Sequence, residues 1–95
     1  MTVESIKQQF SPILRQHHVV RAGIFGSVAT GMAGVESDID VLVEFEPGSS
    51  LFNLISLKND LTAASGSVVD VVTYASVHPK LRERILQEEK RIYER

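Results

Sequence analysis

Asp38 and Asp40 stand two residues apart at the head of a run, Ile39 to Phe45, whose side chains alternate in character as those of a half-buried strand do. Successive strand side chains point to opposite faces. Asp38 and Asp40 therefore share one face, and Ile39, Val41, Val43 and Phe45 share the other. Two carboxylates about 4 Å apart at an effective dielectric near 20 repel by roughly 4 kcal/mol. The cost falls if one stays protonated or if a cation sits between them. A hard dication with oxygen ligands is the simplest remedy, and Mg²⁺ takes one or two carboxylates together with substrate phosphates. Upstream lie Gly26-Ser27 and then Gly31. Glycine lets the backbone approach a ligand closely, and serine adds a hydroxyl and an N–H. Taken alone, the pair reads as a plain tight turn. A third acid, Asp70, sits within the apolar run VVDVVTY. There a carboxylate is expensive unless paired, hydrogen-bonded or metal-bound. The three aspartates and the glycine turn together suit a metal-bound nucleotide.

Regular elements must position these residues. Thr2 to His17 carries Val3, Ile6, Phe10, Ile13 and Leu14 at helical spacing, with Thr2 and Ser5 as candidate N-caps. Pro12 predicts a kink or break, with Ser11-Pro12 starting a second segment. His17-His18 reads as a solvated helix end favoured by the helix dipole rather than as a metal site. Val19 to Phe25 is the first expected strand and Val28 to Met32 a single helical turn. Gly31 to Ser37 reads as a loop and Ile39 to Phe45 as the second strand. Glu44 and Glu46, of the same parity as the aspartates but further along, read as solvated. After the breaker Pro47-Gly48-Ser49-Ser50, Leu51 to Ala64 forms a helix that covers the sheet through Leu51, Leu54, Ile55, Leu57 and Leu61, and Gly66 stops it. Val68 to Tyr74 is the third strand. His78-Pro79 opens a last helix with an apolar stripe of Leu81, Ile85, Leu86, Ile92 and Tyr93.

The chain's 95 residues fit one domain, 1–95, that buries only about 60–70% of its unfolded surface. A net charge of −2 argues against a broad nucleic-acid surface, which needs many Lys and Arg on one face. With no cysteine, disulfides and thiolate metal sites are excluded. No apolar run reaches membrane-spanning length and the N-terminus lacks a signal peptide's apolar core, so the expected location is cytoplasmic, with no membrane partner.

In this order and spacing, Gly26-Ser27, Gly31, Ser37-Asp38-Ile39-Asp40 opening a strand and Asp70 on a later strand resemble the polymerase-β-like nucleotidyltransferase superfamily. The short length is similar to that of its minimal nucleotidyltransferases (MNT), and the resemblance covers essentially the whole chain. It implies an α/β (α+β) fold: a small mixed β-sheet with helices packed on one face and an open, palm-like catalytic face. It implies that Asp38 and Asp40 coordinate Mg²⁺, two ions in all, and that Asp70 completes the set. Gly26 and Ser27 would bind the triphosphate of the incoming nucleotide, ATP. An acceptor hydroxyl would attack the α-phosphate, pyrophosphate would leave, and Asp70 would orient and deprotonate the acceptor. Many family members carry an arginine where this chain has Thr30, with Val28 two residues earlier, so one phosphate-holding cation is missing. Members of the minimal group commonly pair with a HEPN-domain toxin and silence it by adenylylating a tyrosine, which implies a HEPN partner and an antitoxin role. Two other readings follow: an antitoxin that neutralises by binding alone, which Thr30 favours, and a transferase acting on a small molecule such as an aminoglycoside, which the lack of sequence after the last helix disfavours.

Overall fold

The computed structural model describes residues 2–31 and 38–95; the expected loop beyond Gly31, with Met32 and Ser37, lies outside them. The chain runs α1 (Val3–Gln16), β1 (Val19–Phe25), α2 (Gly26–Thr30), β2 (Ile39–Phe45), α3 (Leu51–Ser65), β3 (Val69–Thr73), a 3₁₀ turn (Tyr74–Ser76), α4 (Pro79–Glu88) and β4 (Lys90–Glu94). The strands form one mixed sheet in the order β3-β2-β1-β4. β1 is antiparallel to both β2 and β4, whereas β2 and β3 are parallel. A parallel pair needs a crossover, and α3 supplies it.

The fold is the small mixed sheet with helices that the resemblance implies, and its core lies on one face. Ile6, Phe10 and Leu14 form one stripe of α1, spaced four residues apart, and they pack with Ala22, Ile24, Val41, Val43, Leu57 and Leu61. Each of the larger buried side chains contributes about 1.5–3 kcal/mol. Thr2 caps α1 in a reciprocal box with Ser5. The break expected at Ser11-Pro12 does not occur, and α1 runs through it. Pro12 is exposed on the solvent side, and the Ser11 hydroxyl donates to the Lys7 carbonyl at 2.6 Å. The one backbone bond that proline removes is thus lost where water can replace it.

Three other expectations are corrected. The last helix ends at Glu88, and Ile92 and Tyr93 belong to β4, which pairs with β1. The apolar spacing from Ile85 to Ile92 imitates a helical heptad, and no Gly or Pro marks the change. Leu57 and Leu61 of α3 are buried, but Leu51 and Ile55 are more than half exposed and do not cover the sheet. His17 is not a solvated end: its Nε2 lies 2.7 Å from Asp60 Oδ2, tying α1 to α3 with the side chain only 13% exposed.

Candidate active site

Strand register makes the candidate site. In the parallel pair, Ile39 lies beside Val69 and Asp40 directly beside Asp70. Both aspartates follow the first residue of their strands, so two parallel strands starting level bring them to one rung and one face. β1 runs the other way, which sets its last residue, Phe25, opposite Asp40. The Gly26-Ser27 turn that follows β1 therefore arrives at the same spot. Asp38 precedes β2 and is exposed, Asp40 is half-buried, and Asp70 is exposed on the edge strand.

The Asp40 carboxyl is pushed above its usual range, first by burial, then by the charge of Asp70, then by that of Asp38. Two features of the sequence reading change here. The main charged neighbour of Asp40 is Asp70 across the ladder rather than Asp38 along the strand. Asp70 is not a carboxylate sealed among valines, because β3 is an edge strand and leaves that side chain open to water. The most shielded of the three is Asp40, which is half-buried.

Gly26 has φ +74°, and a Cβ built there would stand 2.3 Å from Asp40 Oδ2. Only glycine combines that backbone with that contact. α2 starts at this glycine, buries Val28 and Ala29 and closes on Gly31 at φ +78°. As in any helix, the first backbone N–H groups of α2 have no partner within it, and Ser27 is among them. Thr30, where the resemblance leads one to expect an arginine, bends its hydroxyl back to the Gly26 and Ser27 carbonyls at 3.2 and 3.3 Å. It supplies no positive charge to the turn.

Among the described residues no three acidic or imidazole side chains already close around a point as an ion cage. The aspartates form an open fan, with Asp70 beside Asp40 on β3 and Asp38 two residues before it, both exposed. An all-carboxylate fan suits a hard, partly hydrated cation that completes its shell with water and phosphate oxygens, and it offers no soft or imidazole ligand. The histidines are engaged elsewhere: His17 with Asp60, His18 with Glu46 at 3.7 Å, and His78 capping α4 through Nδ1.

Beyond Leu42 the same face changes character. Glu44, expected to be solvated, accepts from Arg21 Nε at 2.7 Å, and Glu46 pairs with Arg95. The Arg21 guanidinium lies 4.2 Å from the centre of the Tyr74 ring. The Tyr74 hydroxyl donates to Glu89, which also accepts from Arg91 Nε at 3.2 Å. Glu89 is only 6% exposed and fills the space over Gly23, where a Cβ would lie 2.1 Å from its Oε1. Sequence reasoning missed this network. Its one signal was a glycine in the middle of β1, which in a strand marks close approach by another group.

Comparison with known proteins bears on the chemistry. Residues 8–95 match the family described as "Polymerase beta, Nucleotidyltransferase". A protein of Methanocaldococcus jannaschii classed provisionally as a protein adenylyltransferase is 50% identical over 88 residues, covering 93% of this chain and 95% of its own. The protein adenylyltransferase MntA of Thermococcus cleftensis is 38% identical over 87 residues, with coverage of 90% and 88%. A solved structure described provisionally as a minimal nucleotidyltransferase superposes with a TM-score of 0.81 at 36% identity and covers 95% of both chains. A toxin–antitoxin crystal structure with AMP-PNP gives a TM-score of 0.80 at 23% identity, covering 94% of this chain and 73% of that one. A tri-AMPylated HEPN toxin of Shewanella oneidensis in complex with MNT antitoxin gives 0.75 at 20% identity, covering 99% and 74%. At the last two identities the likeness is one of fold.

Proposed function

The chain belongs to the polymerase beta nucleotidyltransferase family, and from that premise we propose that it is a protein adenylyltransferase that moves AMP from ATP to a tyrosine hydroxyl of a HEPN-domain partner toxin and thereby acts as its antitoxin. The observation that carries the reading is the rung shared by Asp40 and Asp70, with the Gly26 turn pressed against the Asp40 carboxylate. The relatives named as protein adenylyltransferases and the complex with a tri-AMPylated HEPN toxin support the choice of acceptor.

In this reading Asp38, Asp40 and Asp70 hold Mg²⁺, for which their oxygen-only donor set is suited. Bound Mg²⁺ would neutralise charge on the reacting phosphate and lower the pKa of the acceptor hydroxyl. Gly26 admits the triphosphate close to the backbone, and Ser27 offers its N–H and hydroxyl to the phosphate oxygens. Asp70, open to solvent on the edge strand, orients the acceptor hydroxyl and takes its proton. The acceptor oxygen forms a bond to the α-phosphorus, the bond from that phosphorus to the bridging oxygen breaks, and pyrophosphate leaves. Asp40, raised in pKa by burial and by two like charges, is the group most relieved by a cation.

The test is incubation with ATP labelled in the α-phosphate, Mg²⁺ and the product of the neighbouring open reading frame, which this reading expects to be a HEPN-domain protein. The label should appear on that protein and should vanish with Asp38→Ala. Equal labelling by Asp38→Ala would overturn the assignment. Thr30 favours a second reading, neutralisation by contact alone, because its hydroxyl is turned inward and the turn lacks a cation. Full rescue from the toxin by Asp40→Ala would select that reading. Loss of rescue with the complex intact would select transfer.

A further inference from the structure

The Gly26 turn and Asp70 stand on strands that do not pair. β2 lies between β1 and β3, and among the described residues β3 is an edge strand bonded to β2 alone. The ladder sets Asp70 beside Asp40, but it leaves the angle between β3 and β1 soft, since neighbouring strands in sheets are rotated by anything from about 10° to 35°. Tyr74 follows Asp70 by four residues, roughly 13 Å at about 3.3 Å per residue. Over an arm of that length a rotation of about 5° moves a carboxylate by about 1 Å, and such a misplacement can cost about 100-fold in rate.

One buried side chain ties the outer strands across β2. Glu89 directly follows α4, and its carboxylate lies in the space that a side chain at Gly23 of β1 would fill. There it accepts from the Tyr74 hydroxyl at the end of β3 and from Arg91 Nε of β4 at 3.2 Å. Arg21 of β1 grips the same tyrosine from its ring face. Leu42, the β2 residue opposite Gly23, is fully buried although it lies outside the core cluster on the other face. α4 buries none of its own residues and lies against both β1 and α2, the helix that starts at Gly26. The carboxylate thus also anchors the element that leans on the turn. Packing alone would be met by an apolar side chain over Gly23, without taking a charge out of water. A carboxylate with two donors instead holds direction, because neither donor can swing away without losing a charge-assisted bond.

We infer that Glu89, acting through Tyr74, is a positioning residue for the transfer: it sets the distance between the Gly26 turn and Asp70, and so between the bound triphosphate and the group that orients the acceptor hydroxyl. The inference rests on the proposed transfer and adds to it a residue that touches neither the nucleotide nor the acceptor.

The experiment uses the full chain, α-labelled ATP, Mg²⁺ and the product of the neighbouring open reading frame, at a temperature where circular dichroism shows every variant folded. Glu89→Gln and Tyr74→Phe should each lower kcat about fivefold and leave the KM for ATP within about twofold, because the turn itself is untouched. In an Asp70→Asn background, followed over hours, either change should cost almost nothing further, since the group it places is already gone. A side chain that only stabilises the fold would cost the same in both backgrounds. Equal losses in the two backgrounds, an unaltered kcat, or a loss confined to the KM for ATP would overturn the inference, while labelling by the wild type left the enzyme reading standing. If Glu89→Gln does not fold, Tyr74→Phe, which removes one oxygen and keeps the ring under Arg21, carries the same measurements. Absence of label with the wild type would overturn the enzyme reading, and the positioning role with it.

Discussion

Asp40 and Glu44 lie on the same strand and the same face, and their surroundings are opposite. Glu44 has the Arg21 guanidinium at 2.7 Å, and Arg21 in turn lies on Tyr74, whose hydroxyl meets Glu89 and through it Arg91. Asp40 has two further carboxylates for company and a glycine whose missing side chain leaves room for its own. At one end the acids are paired within the chain. At the other, like charges are collected, and among the described residues no cation pairs with them. A fold that pairs its acids a few residues away gathers three here, and such a concentration of like charge is where a bound cation would have the largest effect.

The sharpest way to break this contrast is at its acidic end. Asp40→Ala should lower AMP transfer by roughly 10³-fold or more, in the upper range for loss of a group acting directly on the reaction, measured as label incorporated per minute. Gly26→Ala comes next. Its methyl group would collide with the Asp40 carboxylate on a backbone that disfavours any side chain, so transfer should fall about 10²-fold and stability by roughly 1–3 kcal/mol, the latter read from urea unfolding.

At the paired end the order is reversed, with stability suffering more than chemistry. Glu89→Ala leaves the Tyr74 hydroxyl and Arg91 without their acceptor and should cost about 1–3 kcal/mol in urea. Tyr74 itself offers a pH test. Burial, the hydrogen bond to Glu89 and the Glu89 charge push its phenol well above the ordinary value. The folded state then keeps a proton that the unfolded state releases, so stability falls as pH rises past about 10. With Tyr93→Phe as background only one phenol remains, and ultraviolet titration should show it resisting ionisation until the protein unfolds.

The smallest effect sharpens the comparison most. Asp40 has a raised pKa when folded, so its ionised form is disfavoured by folding. The penalty is fully present above the raised value and fades as pH falls through it toward the unfolded carboxylate's range. Asp40→Asn should therefore melt a few degrees higher than wild type at neutral pH in EDTA, and the gap should close in acid. Added Mg²⁺ should raise the melting temperature of the wild type and leave Asp40→Asn nearly unmoved.

Some of this was open to a reader of the sequence. Alternation along Ile39–Phe45 puts Asp38 and Asp40 on one face because strand parity is local, and Gly26 reads as a turn because glycine chemistry is local. That Asp70 shares a rung with Asp40 depends on strand direction and register, which only α3 and the whole sheet determine. The sequence argument for Asp70 rested on its burial, and burial depends on whether a strand is central or at an edge. The same non-local ignorance hid β4, whose Ile92 and Tyr93 keep helical spacing until β1 is there to pair with them. Leu51 and Ile55 look like a core stripe for the same reason. Hydropathy says that a face is apolar, but not what will cover it.

The level start of β2 and β3 has a consequence in time. A ribosome delivers Asp40 well before Asp70, and the two become neighbours only when α3 has folded back and the second parallel strand has docked. A nascent chain that ends before Val69 holds the glycine turn and two of the acids without the rung that gathers them. Whatever competence this face possesses arrives late and all at once, so that unfinished copies are idle copies.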